Sequence, residues 1–430
     1  MNGTTIQHVA AWEALDSRGT PTVACAVRLD GGARGTTSVP SGASTGTYEA
    51  HELRDGGDRY GGRGVRRAVG HVNDILGPAV IGYDARDQQG LDRTLRSLDG
   101  TSHLSRLGAN AILALSVATA LAAAQAHGVP LYHWLAPDVA PLLPLPMVNV
   151  LSGGAHAGGA VDVQDFLVVP VGASSFAEAI EWAWRVRRAT MEVADARGLP
   201  VVLVADEGGL GPPLSSNRAA LELLHAGIER SRLVPGTDVA IAIDVAATQL
   251  VHGDSYRLAS EGRTVDGATL LREVESWCAT HPIVSLEDPL GEDDWAGWAE
   301  VSRRLGGHLQ ILGDDLFVTD VRRLERGIAS GVANAILVKP NQTGTLSDAR
   351  AVVERAIGAG YAPVVSARSG DTEDAWLADL AVGWRAGQIK VGSLTRSERL
   401  AKWNRLLQIE AEAGSRAVFA GRAALGRRPA

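Results

Sequence analysis

The stretch "PIVSLEDPLGEDDWAGWAEVSRRLGGHLQILGDD", Pro282 to Asp315, holds two short apolar runs with a helical segment between them. The first run closes on Glu287 and the second on Asp314. Continuous apolar runs alternating with amphipathic helices read as parallel strands covered on both faces. The pattern extends in both directions, through "VDVQDFLVVPV", "PVVLVADEGG", "VAIAIDVAA", "NAILVKPN", "PVVSARSG" and the weaker "GQIKVG". About eight such strands in this length predict an α/β fold of the (β/α)8-barrel type.

The helices between the strands carry their own signals. Ser175-x-x-Glu178 is a capping-box pattern that opens a helix, and Leu346, Ala349, Val353, Ala356 and Ile357 form a helical apolar stripe after Thr345. Upstream, the proline-rich "APDVAPLLPLP" (Ala136 to Pro146) cannot continue a helix and marks the expected domain boundary. Residues 1–136 then form an α+β domain, with strands such as "PTVACAVRL", a Gly/Ser/Thr loop and an alanine-rich helix, while residues 137–430 form the barrel.

Composition narrows the function classes. A net charge of −8 argues against nucleic acid or an anionic membrane as the main partner. The two cysteines, Cys25 and Cys278, are far apart and suit a reducing compartment. The polar start and the shortness of "AILALSVATALAAAQA" point to a soluble cytoplasmic chain.

The polar residues at the run ends carry the chemistry. Asp165, Glu207, Asp244, Glu287, Asp314, Lys339, Arg368 with Ser369, and Lys390 all lie where a barrel gathers its active site. Asp244, Glu287 and Asp314 end consecutive strands, and three hard oxygen ligands favour Mg²⁺ over zinc. A buried lysine has its ammonium form disfavoured, so Lys339 or Lys390 is a candidate base, the other a fixed positive charge. Glu207 lies on a glycine turn, His156 lies in the glycine-rich "SGGAHAGG", and "PSGASTG" suits a mobile lid. Together these parts suit removal of a weakly acidic proton beside a carboxylate, with cations stabilising the enolate and acids assisting a leaving hydroxyl.

The chain resembles the enolase (phosphopyruvate hydratase) family across nearly its whole length. The resemblance rests on "ALDSRGTPTV", "VPSGASTGTYEA", "LGANAILALS", "ADEGGLGP", "SLEDP", "GDDLFVT", "LVKPNQTG", "SARSGDTEDAWLADLAVG" and "GQIKVGSLTRSERLAKWNRL". It implies an enolase-type barrel whose first units depart from strict βα alternation, two Mg²⁺ per site and a homodimer. By position, Asp244, Glu287 and Asp314 resemble the ligands of the first Mg²⁺, and Ser44 the lid serine on the second. Lys339 resembles the base, Lys390 the partner of the substrate carboxylate, and Arg368 and Ser369 the phosphate contacts. His156 and Gln164 match residues near the substrate, and Glu207 matches the acid near the leaving hydroxyl.

The chain also departs from the family pattern. Ala367 stands where the family has histidine, Asp165 where it has glutamate, and Pro340 follows the lysine. Asp165 is shorter by one C–C bond, roughly 1.5 Å, where misplacement of about 1 Å costs about a hundredfold in rate. Both Ala367 and Asp165 fall on the phosphate and leaving-group side. They raise the expectation of a specialised relative acting on a bulkier small anionic phosphorus-containing substrate, such as a carboxyphosphonoenolpyruvate synthase of phosphonate or phosphinate natural-product pathways. The alternatives are an ordinary enolase acting on 2-phosphoglycerate and a non-catalytic scaffold.

Overall fold

The computed structural model describes residues 3–43 and 45–426. Strands β1 (Ile6–Leu15), β2 (Pro21–Leu29) and β3 (Arg34–Ser38) form an antiparallel sheet in that order. The β1–β2 turn is fixed by Asp16, whose Oδ1 accepts from the amides of Arg18 (2.8 Å) and Thr20 (2.9 Å). Helix α1 (Ala109–Ala126) covers β2 and β3. It is apolar on all sides, as a helix buried in a core must be. The segment is long and apolar enough to cross a membrane, yet 83% of it is buried inside the protein. The helix lies so close to β3 that a Cβ on Gly35 would meet the Ala118 carbonyl oxygen at 1.9 Å and the Ala122 amide at 2.5 Å.

The barrel strands are β4 (Leu145–Ser152), β5 (Asp165–Val169), β6 (Ala240–Asp244), β7 (Ile283–Glu287), β8 (Gln310–Gly313), β9 (Ala335–Val338), β10 (Ala362–Ser366) and β11 (Gln388–Gly392). They close into a barrel in the order β7-β8-β9-β10-β11-β4-β5-β6. β5 runs antiparallel to both neighbours, and the other pairings are parallel. After β5 come two successive helices, α2 (Phe176–Ala196) and α3 (Asn217–Arg230), before β6. Ser175 caps α2 by accepting from the Glu178 amide (3.1 Å), whereas the Glu178 carboxylate turns to Ser174. Thr345 caps α4 (Leu346–Gly358), in which Leu346, Ala349, Val353 and Ala356 are buried but Ile357 is half exposed. α5 (Ser397–Ala413) follows β11.

The barrel has eight strands, but not the eight that the apolar runs mark. "PVVLVADEGG" forms no strand; its Val204 makes only an isolated bridge to Leu210, and Val202 and Leu203 are exposed. Its place belongs to β4, "LPMVNVLS", every residue of which is buried. β4 begins inside the proline-rich stretch that reads as a linker, and an apolar run alone does not separate a buried strand from a loop. Asp165 likewise begins its strand. Because β5 is inverted, that start lies at the same rim as the ends of β6 and β7, in one row Ser152–Asp165–Asp244–Glu287.

At the opposite end, the short helical turn Gly421–Leu425 packs on the barrel floor. The Ala424 carbonyl accepts from Gln388 Nε2 (2.9 Å), which also donates to Gln310 (2.8 Å). The basic tail "GRAALGRRPA" thus begins as a floor plug, and its last four residues lie outside the described part. Gly35→Ala is expected to push β3 from α1 and to cost ~1–3 kcal/mol, read as a lowered midpoint in urea unfolding.

Candidate active site

The rim gathers two clusters of buried charge. In the first, Asp244 and Glu287 end β6 and β7, Asp314 follows β8, Lys339 follows β9, and Lys390 lies in β11. Lys390 Nζ donates to Asp244 Oδ2 and to Glu287 Oε2, each at 2.7 Å. Lys339 Nζ is hydrogen-bonded to Asp314 Oδ2. Gln164 Nε2 donates to Asp244 Oδ2 (3.2 Å) and Gln342 Nε2 to Asp314 Oδ1 (3.1 Å). Asp288 sits beneath, accepting from the amides of Asp314 (2.9 Å) and Asp315 (2.8 Å), which fixes the turn after β8.

Burial and the neighbouring carboxylate of Asp244 push the Glu287 carboxyl well above its usual range. Its Oε1 is buried with no hydrogen-bond partner. An acceptor in that state, among three carboxylates and no thiolate, fits a hard divalent cation. Among the described residues, the groups of three that place one ligand atom each within 4.8 Å of one another are Asp288, Asp314 and Asp315, and His156, Asp165 and Glu207. Burial disfavours the Lys339 ammonium, but the surrounding carboxylates, Asp314 first and Glu287 with it, together hold the group above the ordinary lysine value. Lys390 is raised further, against its burial, by Asp244 and Glu287.

The second cluster adjoins the first, Asp165 being the cross-strand partner of Asp244. His156, in the turn Gly154–Ala157, has Nδ1 3.0 Å from Asp165 Oδ2 and Nε2 3.8 Å from Glu207 Oε1. Asp165 Oδ1 also accepts from Asn149 Nδ2 and from Ser152 Oγ (3.2 Å). The shorter side chain is therefore fully engaged by its own surroundings. Burial works against a charged imidazole, but Asp165 and Glu207 prevail and raise His156 to about 9.

Arg368 and Ser369 follow β10. Arg368 Nη1 reaches Glu49 Oε2 (2.8 Å) and Asn341 Oδ1 (3.1 Å), and its Nη2 reaches Glu49 Oε1 (3.2 Å). Ser369 Oγ accepts from the Ala43 amide (2.6 Å), and Ser41 and Gly370 exchange backbone hydrogen bonds. The 41–50 loop is thus docked on the rim; Ser44 lies outside the described residues. Ala367 donates its amide to the Lys390 carbonyl (2.9 Å), and its methyl belongs to the apolar core.

The described polar candidates thus gather at the rim, in two adjoining clusters and the corner of Arg368 and Ser369, whereas Ala367 lies in the core. The sequence reading missed Glu49, Gln342, Asn149 and Ser152. Glu49 and Gln342 lie inside motifs already quoted, "VPSGASTGTYEA" and "LVKPNQTG", but nothing local singles them out. Asn149 and Ser152 lie on the overlooked strand β4.

A testable consequence concerns pH. A group raised from 6.5 to about 9 stabilises the fold fully below pH 6.5 and loses that contribution as pH rises through about 9. The slope of stability against pH over that window is expected to flatten in His156→Gln, measured by urea unfolding at a series of pH values.

Two family models match the chain, enolase N-terminal domain over residues 6–135 and enolase C-terminal TIM barrel domain over 140–427. The chain is 51% identical over 422 residues to the enolase of Acidothermus cellulolyticus, covering 98% of each protein. This overturns the expectation of a specialised phosphonate-pathway relative: the end-to-end match is to an enolase by name. The structure gives the physical reason, since Asp165 is absorbed by Asn149, Ser152 and His156 and Ala367 by the core, with the metal-type cluster whole. The chain belongs to the enolase family, a family of hydro-lyases built on an N-terminal domain and a TIM barrel.

Proposed function

We propose that the protein is an ordinary enolase, interconverting 2-phosphoglycerate and phosphoenolpyruvate with loss or gain of water. One observation carries this reading. Lys339 and Lys390 are the cations of a buried three-carboxylate rim, on a chain matching a named enolase from end to end.

In this reading Asp244, Glu287 and Asp314 hold a first Mg²⁺, and Ser44 serves a second. The bound ions supply the positive charge that makes the carbon beside the substrate carboxylate acidic. Lys339, which would give up its ammonium proton to solvent once Asp314 is drawn to the metal, would then accept the α-proton on the neutral Nζ. Lys390 exchanges one of its two carboxylates for that of the substrate. Gln164 steadies Asp244, and Arg368 and Ser369 receive the phosphate. Glu207 delivers a proton to the departing hydroxyl, with His156 oriented beside it by Asp165. Burial of all these groups excludes water and strengthens each charge contact.

The assembly proposed is a cytoplasmic homodimer, as the resemblance implies. Val202 and Leu203 are 89% and 82% exposed, apolar surface that a second copy would cover. A monomer in light scattering overturns that part.

The deciding experiment mixes purified protein, Mg²⁺ and 2-phosphoglycerate and follows the enol absorbance. Turnover is expected, with loss on chelation and recovery on adding Mg²⁺; no absorbance change overturns the reading. Lys339→Ala is expected to lower kcat by about two to four orders of magnitude and to abolish solvent-proton exchange at the α-carbon.

A further inference from the structure

Glu49 has no role in the chemistry above, yet among the described residues of the 41–50 loop its side chain makes the most hydrogen bonds. Both its oxygens meet the terminal nitrogens of Arg368, at 2.8 and 3.2 Å, in a fork-to-fork pair. Its Oε1 also accepts from the Gly46 amide (3.0 Å) and from Gln342 Nε2 (3.3 Å). Gln342 Nε2 in turn donates to Asp314 Oδ1, and the Gln342 carbonyl accepts from the Ala50 amide (2.9 Å). A continuous path therefore runs from Lys339 through Asp314, Gln342 and Glu49 to Arg368. The pair is nearly dry, with side-chain exposures of 9% for Glu49 and 2% for Arg368. A cavity of about 490 Å³, lined by Gly42, Thr45, Glu49 and Asn341, opens beside it.

We propose that Glu49 is a positioning residue for anion binding, fixing the plane of the Arg368 guanidinium and coupling that plane to the seating of the 41–50 loop. The inference rests on the reading of Arg368 as the phosphate anchor. An unrestrained guanidinium samples many planes, and one held by a bidentate carboxylate is fixed in one. Because Glu49 also holds Gly46, a loop lifted from the rim takes away the support of the arginine. At Gly46 a Cβ would meet Val318 Cγ1 at 2.6 Å, so the seated loop passes that wall with no room for a side chain.

The test compares Glu49→Gln and Glu49→Asp with the unaltered protein in steady-state turnover of 2-phosphoglycerate. Glu49→Gln keeps two polar atoms but loses the charge-assisted fork, so KM is expected to rise about tenfold while kcat changes by less than about threefold. Glu49→Asp keeps the charge but is one bond shorter, and an intermediate KM is expected. An unchanged or lowered KM overturns the proposal, the lowered value because Glu49 would then be competing with phosphate. A fall confined to kcat overturns it as well. Should Glu49→Gln fail to fold, Glu49→Asp alone decides on the same criterion. Inorganic phosphate separates this inference from the reading on which it rests. If the unaltered protein does not turn over 2-phosphoglycerate, the proposed function fails. Positioning by Glu49 still predicts that phosphate raises the melting temperature of the unaltered protein more than that of Glu49→Gln, and equal shifts overturn it.

Discussion

Three carboxylates brought out of water at one rim form the constraint on which the rest of the site depends. Two unit charges about 4 Å apart repel by ~4 kcal/mol at an effective dielectric of about 20, and burial adds its own penalty. Asp244, Glu287 and Asp314 persist because Lys390 and Lys339 stand among them and Gln164 and Gln342 occupy further oxygens. The orphaned Glu287 Oε1 shows the compensation to be incomplete. A site in that condition has a strong preference for positive charge, which is the property an enolate-forming enzyme needs. The same pairing that keeps the fold intact also keeps both lysines charged until something else satisfies the acids.

The inverted strand β5 serves this arrangement. Were it parallel, Asp165 would face the barrel floor. Antiparallel, it pairs with Asp244 and places its carboxylate at the rim, where His156 and Glu207 meet it. The rim thereby has two unlike halves. One is dominated by carboxylates with too few cations, the other by an imidazole shared between two acids. Neighbouring groups of unlike surroundings have their ionisation pushed in different directions.

The third wall comes from the far end of the chain. Residues 41–50 reach Ser369, Arg368 and Gln342, which are some three hundred positions away in sequence. The N-terminal sheet and α1 make this reach dependable, because Gly35 lets the helix lie directly on β3 and Leu346 donates its amide to Ser116 of that helix (3.1 Å). The loop is therefore carried on a rigid platform anchored to the barrel.

The sequence by itself determined the fold class, the count of barrel strands and nearly all charged rim residues, because continuous apolar runs and the polar residues at their ends are local properties. Its motifs also identified the family. It overrated two substitutions, Asp165 and Ala367, because the weight of a substitution depends on its surroundings. Only the tertiary structure decided that "LPMVNVLS" and not "PVVLVADEGG" is a strand, that β5 is inverted, and that Asn149 and Ser152 absorb the shortened Asp165. Nor does the sequence reveal the pairing of Glu49 with Arg368, or the upward displacement of the lysines. Each of those depends on which charges meet across long chain separations, and in a buried site the sign of an electrostatic effect is set by the neighbours and not by the residue itself.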